Sequence, residues 1–90
     1  MPQNRSDAVL LKLLAQRRTI KEWNAFLQDL LTPRERESLA ERWQIVRLLA
    51  QGLPQREVAK KLGVSISKVT RGARVLRYGT GALARLAEEG

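Results

Sequence analysis

Apolar residues recur every three to four positions along almost the whole chain, which is the spacing of one face of an α-helix. The breaks in this pattern contain glycine, proline or a residue able to cap a helix. The pattern therefore predicts an all-α chain of six helices. In order, we expect a helix capped by Ser6 and ended by Arg17 and Arg18, a helix capped by Thr19, and a long helix from Pro33 to about Gln51. A helix that has Pro54 at about its first position follows, and then a helix from Ile66 to about Tyr78. After a helix end at Gly79 and a cap at Thr80, we expect a last helix from Ala82 to Glu89.

Two helix starts have the same reciprocal cap. Thr19 and Glu22 stand three positions apart, and so do Thr32 and Glu35. In this arrangement the threonine hydroxyl accepts from the amide three residues on, and the glutamate reaches back to the threonine amide. Pro33 takes the first helical position after the second cap, where its missing N–H costs nothing. We therefore expect the boundary at Thr32 to be the strongest in the chain.

Two of the predicted helices have apolar faces too wide to stay in water. The second helix has a cluster that we expect in a core or a subunit interface: Trp23, Phe26, Leu27, Leu30 and Leu31. The long third helix is expected to act as a spine, and its apolar stripe consists of Leu39, Trp43, Val46, Leu49 and Ala50, widened by Ile45 and Leu48.

Two short helical patterns in the second half of the chain are separated by a tight turn. Gly63 stands where the first of them ends, at a position that suits a left-handed backbone, and Ser65 can cap the next helix. Ala59 gives the crossing helices a small contact, while Val64 and Val69 can fill the angle between them. Two helices joined by a short turn with glycine form a helix-turn-helix. An ordinary αα-hairpin in a helical bundle is the alternative.

Charge distinguishes these two alternatives. The chain has a formal net charge of +8 and a pI of about 11.1. Residues 54–77 contain seven Lys or Arg but a single acid, Glu57. A solvated helix face normally mixes both signs, so this excess indicates a surface for phosphates. We therefore predict double-stranded DNA as the partner, bound less tightly as salt rises, because each neutralised phosphate releases a counterion.

The composition argues against several other functions. The chain has no cysteine and no histidine, which removes thiolate chemistry, the commonest general base and the commonest metal ligand. We therefore predict no enzymatic activity, no catalytic residues and no metal site. No apolar run reaches the roughly 18 residues that a membrane helix needs, and the N-terminus lacks the layout of a signal peptide. We expect no membrane association and a cytoplasmic location.

The start of the second motif helix is expected to enter the major groove. Ser65, Ile66, Ser67 and Thr70 can reach base edges there, and Ile66 suits a thymine methyl group. Arg56, at the start of the preceding helix, is long enough to fork onto a guanine. The remaining candidates are interpreted as phosphate contacts that fix the register on the duplex: Gln55, Lys60, Lys68 and Arg74.

Two strings of residues resemble the Trp repressor family. The first is similar to the long central helix of that family: Leu31-Thr32-Pro33, Glu35-Arg36-Glu37, Leu39, Arg42 and Ile45-Val46. The second is similar to its helix-turn-helix: Gln55-Arg56-Glu57, Leu62-Gly63 and Thr70-Arg71-Gly72. Together they extend over about residues 29–76 without a gap.

This resemblance implies a six-helix, Trp-repressor-like fold in an intertwined homodimer. Residues 1–90 would form a single helical domain, with 6–53 and 80–90 as the dimerisation core and 54–78 as the helix-turn-helix that contacts DNA. The two copies of that motif would meet successive major grooves of a palindromic operator. The implied function is a transcriptional regulator, and specifically a repressor. An effector-independent DNA-binding module or a protein-interaction module is the alternative.

The resemblance also implies a pocket for an L-tryptophan-like corepressor. Leu31 and Thr32 would contact the head group of the ligand, and Arg42 and Arg71 would sandwich its ring. Gly72 would let that ring approach the backbone. Arg71 would also pair with the ligand carboxylate, because a planar guanidinium can stack and fork in ways that lysine cannot.

Two departures from the family pattern bear on this ligand. Val75 stands where the repressor has a serine in the pocket, so that an apolar branch replaces a hydroxyl for the ligand amino group. Residues 76–81 resemble instead a related branch, the repressor-like regulators of the YerC/YecD type. The identity of the effector therefore stays open, and so does the question whether it promotes or relieves DNA binding.

Simpler roles stay open for three of the pocket residues. Arg71 can be a phosphate contact or a solvated side chain, and Arg42 can pair with a nearby carboxylate such as Glu37 or Glu41. Gly72 inside a helix costs about 1 kcal/mol relative to alanine. Either close helix packing or room for a ligand must offset that cost.

Overall fold

A computed structural model describes residues 5–89 of the chain, and these residues form six α-helices and no strand. The predicted all-α class is therefore confirmed. In order the helices are α1 (Arg5–Leu14), α2 (Ile20–Leu30), α3 (Pro33–Ala50), α4 (Gln55–Leu62), α5 (Ile66–Tyr78) and α6 (Ala82–Glu89). The chain divides between Thr32 and Pro33 into two compact units, of which the first contains α1 and α2 and the second contains α3 to α6.

Helix α1 is shorter than the sequence predicted. It already includes Ser6, which is therefore not its cap, and it stops at Leu14. The N–H of Gln16 donates to a carbonyl only three residues back, a tight turn with which α-helical bonding ends. The prediction that Arg17 and Arg18 end this helix is wrong, because both follow it.

The start of α2 has the predicted reciprocal cap. The Thr19 hydroxyl accepts from the Glu22 amide at 3.1 Å, and the Thr19 amide donates to the Glu22 carboxylate at 3.3 Å. This backbone hydrogen bond is the main reason why the pKa of Glu22 lies below its usual value. Arg18 adds an ion pair with Glu22 at 3.3 Å. The two hydrogen bonds between Thr19 and Glu22 thus fix the point at which α2 begins.

Helices α1 and α2 contain no buried residue. Trp23 and Phe26 pack edge to face with ring centroids 5.4 Å apart, whereas Ile20 is 89% exposed. Exposed apolar side chains in such number are typical of an interaction site. Further exposed apolar residues of the two helices are Val9, Leu10, Leu11, Leu14 and Leu30.

The second unit has a core that joins three helices. Ile45 and Leu48 of α3 meet Val58 of α4 and Val69 of α5, and none of the four is more than 4% exposed. Val46 is also buried. Because this cluster joins both motif helices to α3, the predicted spine and helix-turn-helix form one packed body. Partly buried residues packed against the cluster are Leu49, Leu53, Ala59, Leu62 and Val64.

The buried stripe of α3 is centred differently from the predicted one. Ile45 and Leu48, expected at its edge, are at its centre, whereas Leu39 and Ala50 are exposed and Trp43 is half-buried. The reason is tertiary, since α4, α5 and α6 all pack on α3 and decide which of its sides is covered.

The turn between α4 and α5 confirms the helix-turn-helix geometry. Gly63 is left-handed (φ 65°, ψ 36°), and the amide of Val64 donates to the carbonyl of Ala59 at 3.0 Å. This bond satisfies a carbonyl left over at the end of α4. The Ser65 hydroxyl then accepts from the Lys68 amide at 3.3 Å and caps α5 as predicted.

The turn before α4 is built in the same way. Gly52 has φ 97°, and the amide of Leu53 donates to the carbonyl of Leu48 at 3.3 Å. Helix α4 begins at Gln55, and Pro54 is its cap and not its first helical residue, because the Pro54 ψ of 150° is extended. Pro54 thus stands one position before the first helical residue, close to its predicted place.

The break before α6 lies where the sequence predicts it. Gly79 ends α5 in extended backbone and donates to the carbonyl of Val75 at 2.8 Å. The Thr80 hydroxyl accepts from the Ala82 amide at 3.3 Å, with Gly81 at φ 90° between them. Helix α6 then packs on α3.

Replacing Val58 by Ala is expected to lower the free energy of unfolding by about 2 kcal/mol, because two buried methyl groups are lost and a cavity remains. The matched control is Val75→Ala, the same change on a helix residue that is 42% exposed. Urea unfolding at one protein concentration measures both. Equal losses in the two variants would contradict the position of the core.

Candidate nucleic-acid interface and adjoining cleft

The residues predicted to contact DNA all lie exposed on α4, on α5 or on the turn between them. Ile66, the first residue of α5, keeps 48% of its surface exposed. About half of this residue is therefore available to a partner. The other exposed candidates are Gln55, Arg56, Lys60, Ser65, Ser67, Lys68, Thr70 and Arg74.

Two of these candidates are bonded to each other. The Thr70 hydroxyl donates to the side-chain oxygen of Gln55 at 3.0 Å, across the angle between α5 and α4. Each side chain is thereby held in one place before any partner arrives. Loss of rotamer freedom on binding is smaller for side chains that are ordered in advance.

The candidate cations differ in how they are engaged. Among residues 5–89, no hydrogen-bond or ion-pair partner exists for the side chains of Arg56, Lys60 and Arg74. The Lys68 ammonium instead contacts the Glu41 carboxylate on α3 at 2.9 Å. Three of the four cations can therefore reach a phosphate or a base without leaving another partner.

A cleft of about 210 Å³ opens beside the motif, between α3, α5 and α6. Four of the predicted ligand residues line it together: Arg42, Arg71, Gly72 and Val75. The other lining residues are Ser38, Glu41, Ile45, Val46, Lys68 and Leu83. The cleft thus has an apolar floor and several charged groups on its walls.

The two remaining predicted ligand residues belong to the first unit. Leu31 follows the last turn of α2, is half-buried and donates its N–H to the Leu27 carbonyl at 3.0 Å. Thr32 is exposed. Their place in a ligand site stays a prediction.

Two guanidinium groups of the cleft are unpaired. Within the described part of the chain, Arg42 and Arg71 form no hydrogen bond and no ion pair. The alternative that Arg42 pairs with Glu37 or Glu41 is therefore wrong for this structure, and Glu41 contacts Lys68 instead. Unpaired guanidinium groups beside an apolar floor suit an anion with an apolar body.

Gly72 is buried by close helix packing. A Cβ atom at this position would lie 2.7 Å from Cγ2 of Ile45 and 3.7 Å from Cδ1 of Leu49. The first distance is shorter than a carbon contact allows, so α3 and α5 approach each other as closely as they do because residue 72 lacks a side chain. This packing offsets the cost of a glycine inside a helix.

Several residues that line the cleft were not predicted as ligand residues. Ser38, Glu41 and Ile45 share one face of α3 with Arg42, at a helical spacing that indicates their common side. Leu83 comes from α6, and no sequence signal indicates which side of α3 that short helix covers. No sequence signal indicates the contact between Glu41 and Lys68 either, because these residues are 27 positions apart.

Two further properties apply to residues 5–89. No group of three or more acidic, histidine or cysteine side chains is placed to hold a metal ion. None of the helices in this part of the chain combines the length and the apolar character that a membrane span needs.

Comparison with known proteins finds relatives of this chain. The family model described as "Trp repressor protein" matches residues 6–89. A "Trp operon repressor homolog" of Chlamydia caviae is 46% identical over 68 residues, which are 74% of this chain and 67% of the relative. The Xylella fastidiosa protein of that name is 40% identical over 74 residues, 81% of this chain and 80% of the relative. The Chlamydia trachomatis protein is 49% identical, but the match spans only 61% of its length.

The fold also has a close counterpart among solved structures. The "Crystal structure of a putative Trp repressor from Staphylococcus aureus" matches with a TM-score of 0.89, over 97% of this chain and 87% of that one. The two sequences are 23% identical. At that identity the likeness concerns the fold.

Replacing Gly72 by Ala is expected to lower the free energy of unfolding by about 1 kcal/mol, since overpacking against Ile45 outweighs the gain in helix propensity. Ile45→Leu moves the branch of that side chain away from its Cβ, so Gly72→Ala should cost less in the Ile45→Leu background. Thermal unfolding of the four proteins of this cycle gives the coupling. Purely additive effects would contradict the close contact.

Proposed function

The chain belongs to the Trp repressor family, whose members are DNA-binding transcriptional regulators and not enzymes, and from this premise we propose that it is a homodimeric repressor that binds a palindromic operator. The observation that carries the proposal is the set of exposed, unpaired cations on the helix-turn-helix: Arg56, Lys60 and Arg74. We place its action in the cytoplasm, where its DNA would be.

Reading of the operator would begin with the amino-terminal end of α5. Ser65, Ser67 and Ile66 stand there without burial, and such an end of a recognition helix enters the major groove. Arg56 would fork onto a guanine, whereas Lys60 and Arg74 would contact phosphates and fix the register. Gln55 and Thr70 would meet the duplex as a preformed pair.

The proposed dimer is supported by the surface that the single chain leaves open. Helices α1 and α2 bury none of their residues, and Leu39 of α3 is exposed as well. A second copy would cover these apolar faces and would hold two helix-turn-helices at a fixed separation. Two half-sites one helical turn apart would then be contacted together, which gives a palindrome its advantage over a single half-site.

A small ligand with a carboxylate is the proposed effector of the cleft. The cleft volume of about 210 Å³ lies below the roughly 300–1,000 Å³ of pockets for drug-sized molecules. A cleft of this size suits a molecule as large as an amino acid. Arg42 on α3 and Arg71 on α5 are unpaired, and they would bind the ligand between these two helices. Val75 would contribute an apolar wall.

The protein-interaction alternative differs in its salt dependence. An adaptor that binds another protein would associate with DNA weakly and without a steep response to salt. A repressor that contacts phosphates through several cations loses affinity steeply as salt rises. Selection of duplexes from a random pool, with and without added amino acids, would identify the operator and any effector class together.

Replacing Arg56 by Ala should weaken binding to the selected operator by about 1–3 kcal/mol and leave random duplex less affected, because a lost base contact reduces discrimination. Arg74→Ala is the comparison, since a lost phosphate contact should weaken both duplexes alike. Fluorescence anisotropy at several salt concentrations measures the two affinities. Equal weakening of both duplexes by Arg56→Ala would show that Arg56 reads no base.

Isothermal titration with L-tryptophan tests the ligand proposal. Binding of a carboxylate should be reduced at least about tenfold by Arg71→Lys, because an ammonium cannot stack and fork as a guanidinium does. Arg47→Lys on α3, where Arg47 bonds to Gln44 and lies outside the cleft lining, should change nothing. Absence of heat at millimolar tryptophan would exclude that amino acid, and the other amino acids of the selection would then be titrated.

A further inference from the structure

We propose that Glu41 limits the DNA affinity of this protein by holding Lys68 away from the phosphates. Glu41 would thus determine affinity from α3, outside the helix-turn-helix. The inference rests on the proposed function, since it assumes that the exposed face of α4 and α5 binds DNA.

The position of Lys68 makes its pairing relevant to that face. It is the third residue of α5, and its backbone amide donates to the capping hydroxyl of Ser65. It therefore stands in the first turn of the helix whose amino-terminal end would enter the groove. Its side chain, however, runs to α3 and contacts the Glu41 carboxylate at 2.9 Å.

The two partners are unequally exposed. The Lys68 side chain keeps 60% of its surface in solvent, whereas that of Glu41 keeps 28%. Glu41 lines the cleft and is fixed on the long helix α3. The lysine is thus the more exposed partner, and it would have to exchange this carboxylate for a phosphate in order to contact DNA.

Such an exchange adds little to DNA affinity. An exposed lysine gains from a phosphate because binding releases counterions from the duplex. Lys68 already has an anion beside it, so that the phosphate would replace one favourable contact with another. Lys60 is the contrasting case, since it lies exposed on α4 and pairs with no residue of the described chain.

The ion pair is not needed to hold α5 in place. Val69 is fully buried in the core, and Gly72 lies in close contact with Ile45 on α3. The bond from Thr70 to Gln55 joins α5 to α4. These contacts follow directly after Lys68 along the helix, so the main effect of Glu41 is on the direction and the charge of the Lys68 side chain.

The first test compares Glu41→Gln with Glu37→Gln, each measured on random duplex as a function of salt. Both variants remove one negative charge from α3, but Glu37 is exposed and pairs with no described residue. Glu41→Gln should raise affinity about fivefold at roughly 0.15 M salt and steepen the slope of log K against log salt by about 0.9, as one more phosphate contact would. Glu37→Gln should have a clearly smaller effect, since screening weakens its action at a distance.

The second test removes the lysines and does not depend on how well Glu41→Gln folds. Lys60→Gln should lower the affinity about fivefold, whereas Lys68→Gln should lower it clearly less at the same salt. In the double variant Glu41→Gln/Lys68→Gln, the gain seen with Glu41→Gln alone should fall to that of Glu37→Gln. Circular dichroism confirms that each variant is folded.

Three results would overturn the inference. One is a gain from Glu41→Gln no larger than that from Glu37→Gln. Another is weaker DNA binding by Glu41→Gln, which would show that the ion pair stabilises α5 in the position that binds DNA. The third is a loss from Lys68→Gln as large as that from Lys60→Gln. If the unaltered protein binds no duplex even at low salt, the proposed function fails as well, and that outcome is distinct from these three.

Discussion

The burial of two valines against one helix is the contact on which the rest of the second unit depends. Val58 from α4 and Val69 from α5 are fully buried against Ile45 and Leu48 of α3. Because these side chains fill the angle between the motif helices, the exposed residues of both helices keep fixed positions relative to one another. A helix-turn-helix without that contact would be two short helices, each too short to persist in water alone.

Local chemistry explains why so many helix boundaries could be predicted. Caps and left-handed glycines act within a few residues, so Thr19, Ser65 and Gly63 could be interpreted from the sequence and have the expected geometry. The failures are of two kinds. Pro54 is one position off because a proline φ suits both a cap and a first helical residue. Ser6 lies inside α1 and not at its cap, because the residues around it suit a cap and a helix interior equally.

The sequence predicts those features of the candidate site that depend on one helix alone, but not the contacts between helices. The exposed cations of α4 and α5 follow from composition and spacing, and the pocket residues Arg42 and Arg71 follow from family resemblance. Which side chains pair with each other does not follow from the sequence, because the pairing depends on which faces of α3 and α5 meet. Within residues 5–89, Arg42 remains unpaired while its neighbour Glu41 contacts a lysine of another helix. A sequence in which charges alternate along a helix cannot indicate which of them pairs.

The open apolar surface of α1 and α2 has a consequence for the lifetime of the protein in a cell. Helices that bury nothing by themselves open easily, and local opening is where proteases gain access. In the proposed homodimer these helices would be covered, so newly made copies that have not yet found a partner would be degraded faster than assembled ones. The level of active protein would then rise more steeply than synthesis does, so that the cell would control this regulator partly through its rate of production.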